Sequence, residues 1–151
     1  MIRIAVKGDE AAIRACAECA YARYVAAIGR KPAPMTADYA AQIAAGDIHV
    51  AVDAEDRLQG FIAFFPEDDH VLLENVAVLP AAAGQGIGKS LILFCEDTAR
   101  ARGFGAVRLY TNEKMVDNLS IYPRLGYVEI DRRVEDGFSR VYFEKDLTLT
   151  V

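Results

Sequence analysis

A glycine-rich stretch, AAAGQGIGKS at residues 81–90, restricts the fold of this chain more than any other feature. It follows a run of apolar and β-branched residues, VLLENVAV at 71–78, and it precedes a helical pattern that extends to about residue 102. A strand, a glycine turn and a helix in this order form an anion site. Unpaired backbone N–H groups converge at the start of the helix, and the helix dipole favours negative charge there. The sequence therefore predicts a phosphate-containing ligand at this turn.

Two common phosphate-binding patterns do not fit this stretch. The nucleoside triphosphate loop G-x-x-x-x-G-K-[ST] begins with a glycine, and this chain has Ala83 at that position. No later strand ends in an Asp placed to hold Mg²⁺. The dinucleotide pattern G-x-G-x-x-G fails because the glycines at 84, 86 and 88 stand at every second position, and Leu91 falls where a further Gly or Ala is needed. A phosphotransferase that uses Mg-ATP is therefore disfavoured.

Length and charge narrow the class of protein. The 151 residues suit one compact domain, 1–151. Lys and Arg number 17 against 22 Asp and Glu, and a net charge of −5 is unlike that of a nucleic-acid-binding protein. No apolar run reaches the roughly 20 residues of a membrane helix, and the start MIRIAVKGDE lacks the layout of a signal peptide. We therefore expect a cytoplasmic protein that binds neither nucleic acid nor membrane.

The spacing of Cys16 and Cys19 in C-A-E-C is compatible with a redox or metal motif. It falls within an Ala-rich helical pattern, however, and no second Cys or His pair accompanies it. The two histidines, His49 and His70, lie far away in the sequence. We therefore interpret both cysteines as small helix residues and predict no metal site.

Apolar periodicity predicts a chain of class α+β with an antiparallel meander before the glycine loop. Asp9 and Thr36 are the expected N-caps of the first two helices, and Gly29 and Gly46 the residues that end them. Strands are predicted at 2–6, 49–53, 59–65, 71–78, 106–111, 127–133 and 140–147, and helices at 10–28, 37–45, from the glycine loop to about 102, and at 115–126.

In the helix after the glycine loop, the spacing predicts one face towards the core and one towards water. The expected core face is Ile87, Leu91, Phe94, Cys95 and Thr98. The expected solvent face is Lys89, Glu96, Asp97 and Arg100.

Two segments resemble the signatures of the GNAT N-acetyltransferases. Residues 76–88 follow the family's acetyl-CoA loop, V-x-V-x-P, a spacer and G-x-G-x-G before a helix, and NLSIYPRLGYVE at 118–129 resembles its second signature. The order of elements agrees, so the resemblance covers essentially the whole chain. It implies the GNAT acyl-CoA N-acyltransferase fold, a central mixed, mostly antiparallel sheet flanked by helices. Ala83 stands where the family has Arg or Gln, which implies somewhat weaker CoA binding.

The resemblance implies transfer of an acetyl group from acetyl-CoA to a primary amine of a small molecule, a peptide or a protein. Backbone N–H groups near Val76 and Val78 would hold the thioester carbonyl. Tyr122 would give a proton to the departing thiolate, and Glu74 would act as the base, commonly through water. The implied acetyl-CoA contacts are Val76, Ala77, Val78, Ala83, Gly84, Gln85, Gly86, Ile87, Gly88, Lys89, Ser90, Asn112, Asn118 and Tyr122.

Each of these roles has a structural alternative. Tyr122 can be an interface aromatic, Glu74 can lie on the solvent face of its strand, Asn112 can be a turn residue, and Ser90 can start the helix. Asn75, next to Glu74, points to the opposite face of the strand and cannot share its role.

The acceptor is less constrained than the cosubstrate. The family places acceptor contacts in the first two helices, their loop and the last strands, so Tyr24, Met35 and Tyr39 are candidates, with plain packing as the alternative. A second function remains open, that of a non-catalytic acyl-CoA-binding sensor or partner module, and Ala83 is the feature that favours it. A homodimer through the last strands is plausible because several family members pair in this way.

Overall fold

A computed structural model describes residues 1–148, with all seven predicted strands. The strands are β1 Ile2–Ile4, β2 Ile48–Val52, β3 Leu58–Glu67, β4 His70–Val78, β5 Ala106–Asn112, β6 Val128–Glu135 and β7 Phe138–Asp146. The helices are α1 Glu10–Tyr21, α2 Val25–Ile28, α3 Tyr39–Ala44, α4 Ile87–Ala101 and α5 Val116–Arg124.

The strands form a mixed sheet in the order β1-β2-β3-β4-β5-β7-β6. Antiparallel pairing joins β1 to β2, β2 to β3, β5 to β7 and β7 to β6, and a parallel pairing joins β4 to β5. The predicted meander of β2, β3 and β4 is confirmed by this order. The contacts divide the chain into two compact units, 1–64 with 75–95, and 65–74 with the residues from 96 onward.

The core of the first unit lies between its strands and the helices α1 and α3. Its fully buried members come from four elements and include Ile13, Tyr39, Val50 and Phe61. Tyr39 packs edge-to-face against Phe61, with ring centroids 5.5 Å apart. The apolar residues at helical spacing in α1 thus face apolar residues at alternate positions of β2 and β3, as the sequence pattern predicts.

Gly60 allows β3 to approach β4 closely. A Cβ at this position would lie 2.7 Å from the carbonyl oxygen of Ala77 and 3.4 Å from side-chain atoms of Ile87 and Leu91. Real Cβ atoms do not come within 3 Å of a backbone oxygen, so any other residue at 60 would displace β4. The glycine therefore fixes the strand that leads into the glycine loop.

The second unit packs α5 and part of α4 on one face of its strands. Val107, Leu109, Val141 and Phe143 alternate on this face of β5 and β7 and are buried. Glu96 of α4 is also buried, with 1% of its surface exposed. The prediction that Glu96 faces water was therefore wrong: the buried stripe of the helix is Leu91, Ile92, Cys95, Glu96 and Ala99.

One predicted helix cap was also wrong, and a second, Asp9, stands at the predicted N-cap position without a cap hydrogen bond. The Asp9 carboxylate makes no cap hydrogen bond to α1, because it accepts from the Val6 N–H at 2.8 Å and from Arg3 at 2.9 Å. The predicted helix over 10–28 is divided by a turn of 3₁₀-helix at 22–24, although Gly29 ends it as expected, with φ of +89°. Asp38, rather than Thr36, caps α3, where its side chain accepts from the Ala41 N–H at 3.1 Å.

The cysteines are free thiols at Cys16, Cys19 and Cys95. Within residues 1–148, no group of three or more His, Cys, Asp and Glu side chains is placed to hold a metal ion. Nor does any helix in that range have the length and hydropathy needed to cross a membrane. Cys16 is buried in α1, and burial raises the pKa of its thiol to about 12, so this thiol stays protonated at neutral pH.

Candidate active site

The glycine loop presents backbone rather than side chains at the start of α4. Gly84 and Gly86 have φ of +82° and +76°, the left-handed region that other residues adopt only with strain. A Cβ at either position would meet no heavy atom within 4 Å. The N–H groups of the first turn of α4 have no partner inside the helix. The loop therefore presents backbone donors to open space, the arrangement that binds phosphate groups.

The side chains around this loop leave it accessible. Ala83 is exposed, and its N–H donates to the Pro80 carbonyl at 3.2 Å. The Ser90 N–H donates to the Gly86 carbonyl at 3.0 Å, which closes the first turn of the helix. Three further predicted contacts are exposed, namely Gln85, Lys89 and the side chain of Ser90. Ile87 and Gly88 are half-buried.

Beyond Leu73, the edge of β4 that faces β5 is not used by the pairing between these two strands. That pairing covers three residue pairs within the described chain, and its last pair is Leu73 with Leu109. On the opposite edge, the Leu79 N–H donates to the Gln59 carbonyl of β3 at 2.9 Å. Backbone groups alternate along a strand, so the N–H groups of Val76 and Val78 point away from β3. This is the edge of β4 on which the resemblance places the thioester donors.

A partly buried polar network holds this part of β4. The Tyr21 hydroxyl lies 2.6 Å from Asn75 Oδ1 and 2.9 Å from the Val76 carbonyl oxygen. Asn75 Nδ2 donates to the Tyr39 hydroxyl at 3.0 Å, and that hydroxyl donates to the Pro34 carbonyl. The sequence analysis missed Tyr21. The signal was present, because Tyr21 continues the four-residue spacing of Ile13 and Ala17.

Glu74 lies on the opposite face of β4 from Asn75 and is half-buried. Its charge acts on Tyr110 of β5. Burial raises the pKa of Tyr110, Arg140 opposes this shift, and the carboxylates of Glu74, Glu135 and Glu67 add to it. Glu74 therefore belongs to a charged surface of the second unit.

We call this surface the aromatic face, defined by Tyr110, Phe138, Arg140 and Tyr142. The Arg140 guanidinium lies 4.5 Å from the ring centroid of Tyr110 and 5.6 Å from that of Phe138. The rings of Tyr110 and Tyr142 are 5.4 Å apart. The Tyr142 hydroxyl donates to Glu135, and burial together with this bond raises the pKa of Tyr142 to about 12. Sequence reasoning did not single out this face, because its members are brought together by the pairing of β5 with β7.

Tyr122 is buried in α5, with 7% of its surface exposed. Its ring lies 6.0 Å from that of Tyr127 and 5.9 Å from that of Phe143. Asn118, one helical turn earlier, donates from Nδ2 to the Thr111 hydroxyl at 3.1 Å. Asn118 therefore ties α5 to the end of β5, and Tyr122 is held firmly by its neighbours.

Asn112, Tyr24 and Tyr39 have internal roles. Asn112 Oδ1 accepts from the Lys114 N–H at 2.9 Å. This contact is typical of a turn residue, the structural alternative to an acetyl-CoA contact. Tyr24 is buried, and its hydroxyl accepts from Arg23 at 2.8 Å. Tyr39 exposes none of its surface, so its position corresponds to core packing and not to direct acceptor contact. Met35 is half-buried in a 3₁₀ turn.

Comparison with known proteins agrees with this geometry. The sequence model of the acetyltransferase (GNAT) family matches residues 12–127. Probable N-acetyltransferase 14 of Xenopus tropicalis is 33% identical over 82 residues, which are 53% of this chain and 40% of that protein. The chain spans less than half the length of the curated relatives it matches.

Solved structures show the same fold. The PaiA N-acetyltransferase from Thermoplasma acidophilum, crystallised with coenzyme A, has a TM-score of 0.79 at 21% identity and covers 97% of this chain and 98% of its own. A putative acetyltransferase from Salmonella typhimurium, crystallised with acetyl-CoA, has a TM-score of 0.72 at 20% identity and covers 100% of this chain and 95% of its own. The predicted GNAT fold of class α+β is thereby confirmed.

Proposed function

We propose that this chain, which belongs to the GNAT acetyltransferase family, moves the acetyl group of acetyl-CoA directly to a primary amine of a small molecule or a peptide. One observation carries the proposal. A glycine loop with open backbone donors follows directly on a strand whose Val76 and Val78 N–H groups point away from their paired neighbour. The loop suits a pyrophosphate, and the strand edge suits the thioester end of the same molecule.

The residues present fit acetyl-CoA, which supplies an activated thioester when bound. The loop from Gly84 to Gly88 would hold its phosphates with backbone N–H groups, and these donors do not depend on the side chain at Ala83. Lys89 and Ser90 are exposed in the first turn of α4 and would add charge and a hydroxyl. The crystal structures of two similar folds that hold CoA or acetyl-CoA support this choice of ligand.

Three groups of the chain would carry the acyl transfer. The Val76 and Val78 N–H groups would stabilise negative charge that develops on the thioester oxygen. Glu74 would accept the proton of the incoming ammonium, directly or through water, since an alkylammonium with a pKa of roughly 10 is unreactive at neutral pH. Tyr122 would donate a proton to the departing thiolate.

The aromatic face is our candidate for the acceptor side. Three carboxylates, Glu67, Glu74 and Glu135, act electrostatically on Tyr110, and Arg140 opposes them. A second guanidinium, that of Arg133, lies 4.5 Å from the ring centroid of Tyr142, so these carboxylates outnumber the guanidiniums of the face by three to two. Aromatic rings and carboxylates together attract a cationic amine. We therefore expect a positively charged primary amine as acceptor and place its nitrogen near Glu74. Met35 stays a candidate for a further contact.

The first test of catalysis is thiol release from acetyl-CoA with a panel of amines, namely a polyamine, an aminoglycoside, a free amino acid and a peptide with a free amino terminus. Tyr122→Phe should lower kcat more than tenfold and leave the Kd for acetyl-CoA within about twofold, because only the proton donor is lost. Tyr127→Phe is the matched control, since it removes a buried hydroxyl next to the same ring. An unchanged kcat in Tyr122→Phe would remove Tyr122 from the mechanism.

The role of Glu74 can be tested by the pH dependence of kcat/KM in Glu74→Gln. Glu74→Gln should lower kcat/KM about 100-fold at neutral pH, since general bases contribute roughly 10²- to 10⁴-fold. The loss should shrink as the pH approaches the amine pKa, because the free amine needs no base. A loss that is the same at every pH would assign Glu74 to binding and not to proton transfer.

The alternative is a non-catalytic acyl-CoA-binding module, favoured by Ala83 in place of the family's Arg or Gln. It predicts acetyl-CoA binding without thiol release for any amine in the panel. It also predicts that Tyr122→Phe and Glu74→Gln leave every measured property of the bound ligand unchanged.

A further inference from the structure

We infer that Tyr21 is a positioning residue for the thioester, and that its hydroxyl fixes the direction of the Val76 N–H. The inference rests on the proposed function, because it concerns the same site. It adds a residue that neither sequence signature contains, since Tyr21 lies at the end of α1 and outside both segments.

The Tyr21 hydroxyl contacts the strand on both sides of the Asn75–Val76 peptide group. Its oxygen is 2.6 Å from Oδ1 of Asn75, the residue before that group, and 2.9 Å from the carbonyl oxygen of Val76, the residue after it. The peptide N–H between these two points belongs to Val76. The Tyr21 hydroxyl therefore restrains the strand on either side of the Val76 N–H group. Neither of these two hydrogen bonds involves that N–H group itself.

The direction of these hydrogen bonds follows from the rest of the network. A tyrosine hydroxyl has one proton, and Tyr39 gives its proton to the Pro34 carbonyl. Towards Asn75 the Tyr39 hydroxyl must therefore act as an acceptor, which orients the Asn75 amide with Nδ2 towards Tyr39. Oδ1 is left to face Tyr21, so the Tyr21 hydroxyl is the donor and its proton lies between Asn75 Oδ1 and the Val76 oxygen.

An amide at position 75 is unusual for a buried strand residue. Asn75 is 6% exposed, and its neighbours on the same face, Leu73 and Ala77, are apolar. Burying an amide costs free energy unless its hydrogen bonds are made, and an apolar side chain would fill the core without that requirement. The network therefore fixes the geometry of the strand edge more than it stabilises the core. Displacement of a catalytic donor by about 1 Å can lower a rate by as much as 100-fold.

The test uses acetyl-CoA labelled with carbon-13 at its carbonyl and bound to the full chain. Isotope-edited infrared spectroscopy reports the carbonyl stretch, which moves to lower frequency when an N–H group polarises the bond. We expect a clear shift in the wild type and a smaller one in Tyr21→Phe. In the same variant kcat should fall about tenfold, while KM for acetyl-CoA stays within about twofold, because the lost geometry matters most in the transition state.

Two further variants separate positioning from general loosening of the fold. Tyr127→Phe removes a buried hydroxyl that donates to Glu96 at 2.9 Å, and should lower thermal stability while leaving the infrared shift and kcat unchanged. Tyr39→Phe releases the Asn75 amide without touching Tyr21, and should reduce the shift in the same direction as Tyr21→Phe. It also provides the test if Tyr21→Phe does not fold.

A wild type that binds acetyl-CoA and releases thiol, together with a full infrared shift and full kcat in Tyr21→Phe, would overturn the inference and leave the proposed function intact. An equal loss of shift in Tyr127→Phe would overturn it as well, since the effect would then follow from stability. A wild type that does not bind acetyl-CoA would overturn the inference and the proposed function together.

Discussion

Polar groups are left open in the glycine loop, whereas in the buried cluster around Glu96 they are hydrogen-bonded within the chain. In the loop, backbone donors face open space, and a Cβ at Gly84 or Gly86 would contact nothing within 4 Å. In the cluster, Glu96 is 1% exposed, and its two carboxylate oxygens accept from the Tyr127 hydroxyl at 2.9 Å and from Lys145 Nζ at 2.8 Å. Polar groups that the chain satisfies itself stabilise its fold, whereas those left open are available to a ligand. Substitutions in the two regions should therefore affect different measurements.

The largest effect is expected from Lys145→Met in the buried cluster. This change leaves the Glu96 carboxylate buried without its cationic partner, and breaking such a pair typically costs about 3–5 kcal/mol. Urea denaturation measures the loss in free energy of unfolding. Acetyl-CoA affinity of the folded fraction should not change, because neither Lys145 nor Glu96 is among the residues assigned to acetyl-CoA.

Arg100→Met is the matched control for Lys145→Met. It removes an ion pair with Asp97 from the same helix, but both partners are largely exposed, at 46% and 77%. Exposed pairs contribute about 0–1 kcal/mol. Equal losses in the two variants would show that the burial of Glu96 is not what makes its pairing important.

Gly86→Ala is expected to lower the free energy of unfolding less than Lys145→Met does. It is expected to weaken acetyl-CoA binding more. Ala at a φ of +76° is strained by about 1–2 kcal/mol, and the new methyl group projects into the space assigned to phosphate. We expect acetyl-CoA to bind at least about tenfold more weakly, as measured by calorimetry.

Gly103→Ala provides the control for Gly86→Ala. Gly103 has a φ of +84°, and a Cβ there would also meet nothing within 4 Å, but it follows the other end of α4. It should lose a similar amount of stability and keep its full affinity. If both alanine variants bind acetyl-CoA equally well, the glycine loop does not hold the phosphates.

The smallest effect is expected at Tyr142, whose hydroxyl donates to Glu135 but whose side chain is only half-buried. Its pKa is raised to about 12, above the ordinary value of about 10, so the folded state holds this proton more tightly than the unfolded state does. The resulting stability is fully present below about pH 10 and is lost as the pH rises towards 12. Urea midpoints measured across this range should fall less steeply in Tyr142→Phe than in the wild type. Parallel curves would show that the Tyr142 proton is not linked to folding.

Much of the fold follows from local sequence signals. The glycine residues and apolar periods place every strand and the helix after the loop, because these signals act within about a dozen residues. Caps were less predictable. Asp9 has the right residue type for a cap, but Arg3 and the Val6 N–H compete successfully for its carboxylate.

The errors in the interior have a common cause, which is pairing between distant residues. Glu96 was assigned to the solvent from its charge, although its position falls in the stripe of Ile92 and Ala99, and its partner Lys145 lies 49 residues away. Tyr21 was overlooked in favour of Tyr24, because the 3₁₀ turn at 22–24 changes the phase of the helix after Tyr21. The partner of Glu96 cannot be read from any local pattern, whereas the spacing of Ile13 and Ala17 did contain a signal for Tyr21.

The central claim, that the glycine loop binds acetyl-CoA, is tested most directly by thermal unfolding with acetyl-CoA, free CoA and Mg-ATP in parallel. A ligand at 100 times its Kd stabilises the folded state by about 2.7 kcal/mol. In a domain of this size that corresponds to an increase in Tm of about 5–10 °C. We expect this increase with acetyl-CoA and CoA and none with Mg-ATP. An increase with Mg-ATP alone would contradict the account, because the loop would then hold a nucleoside triphosphate, and the assignments of Glu74, Val76 and Tyr122 would fail with it.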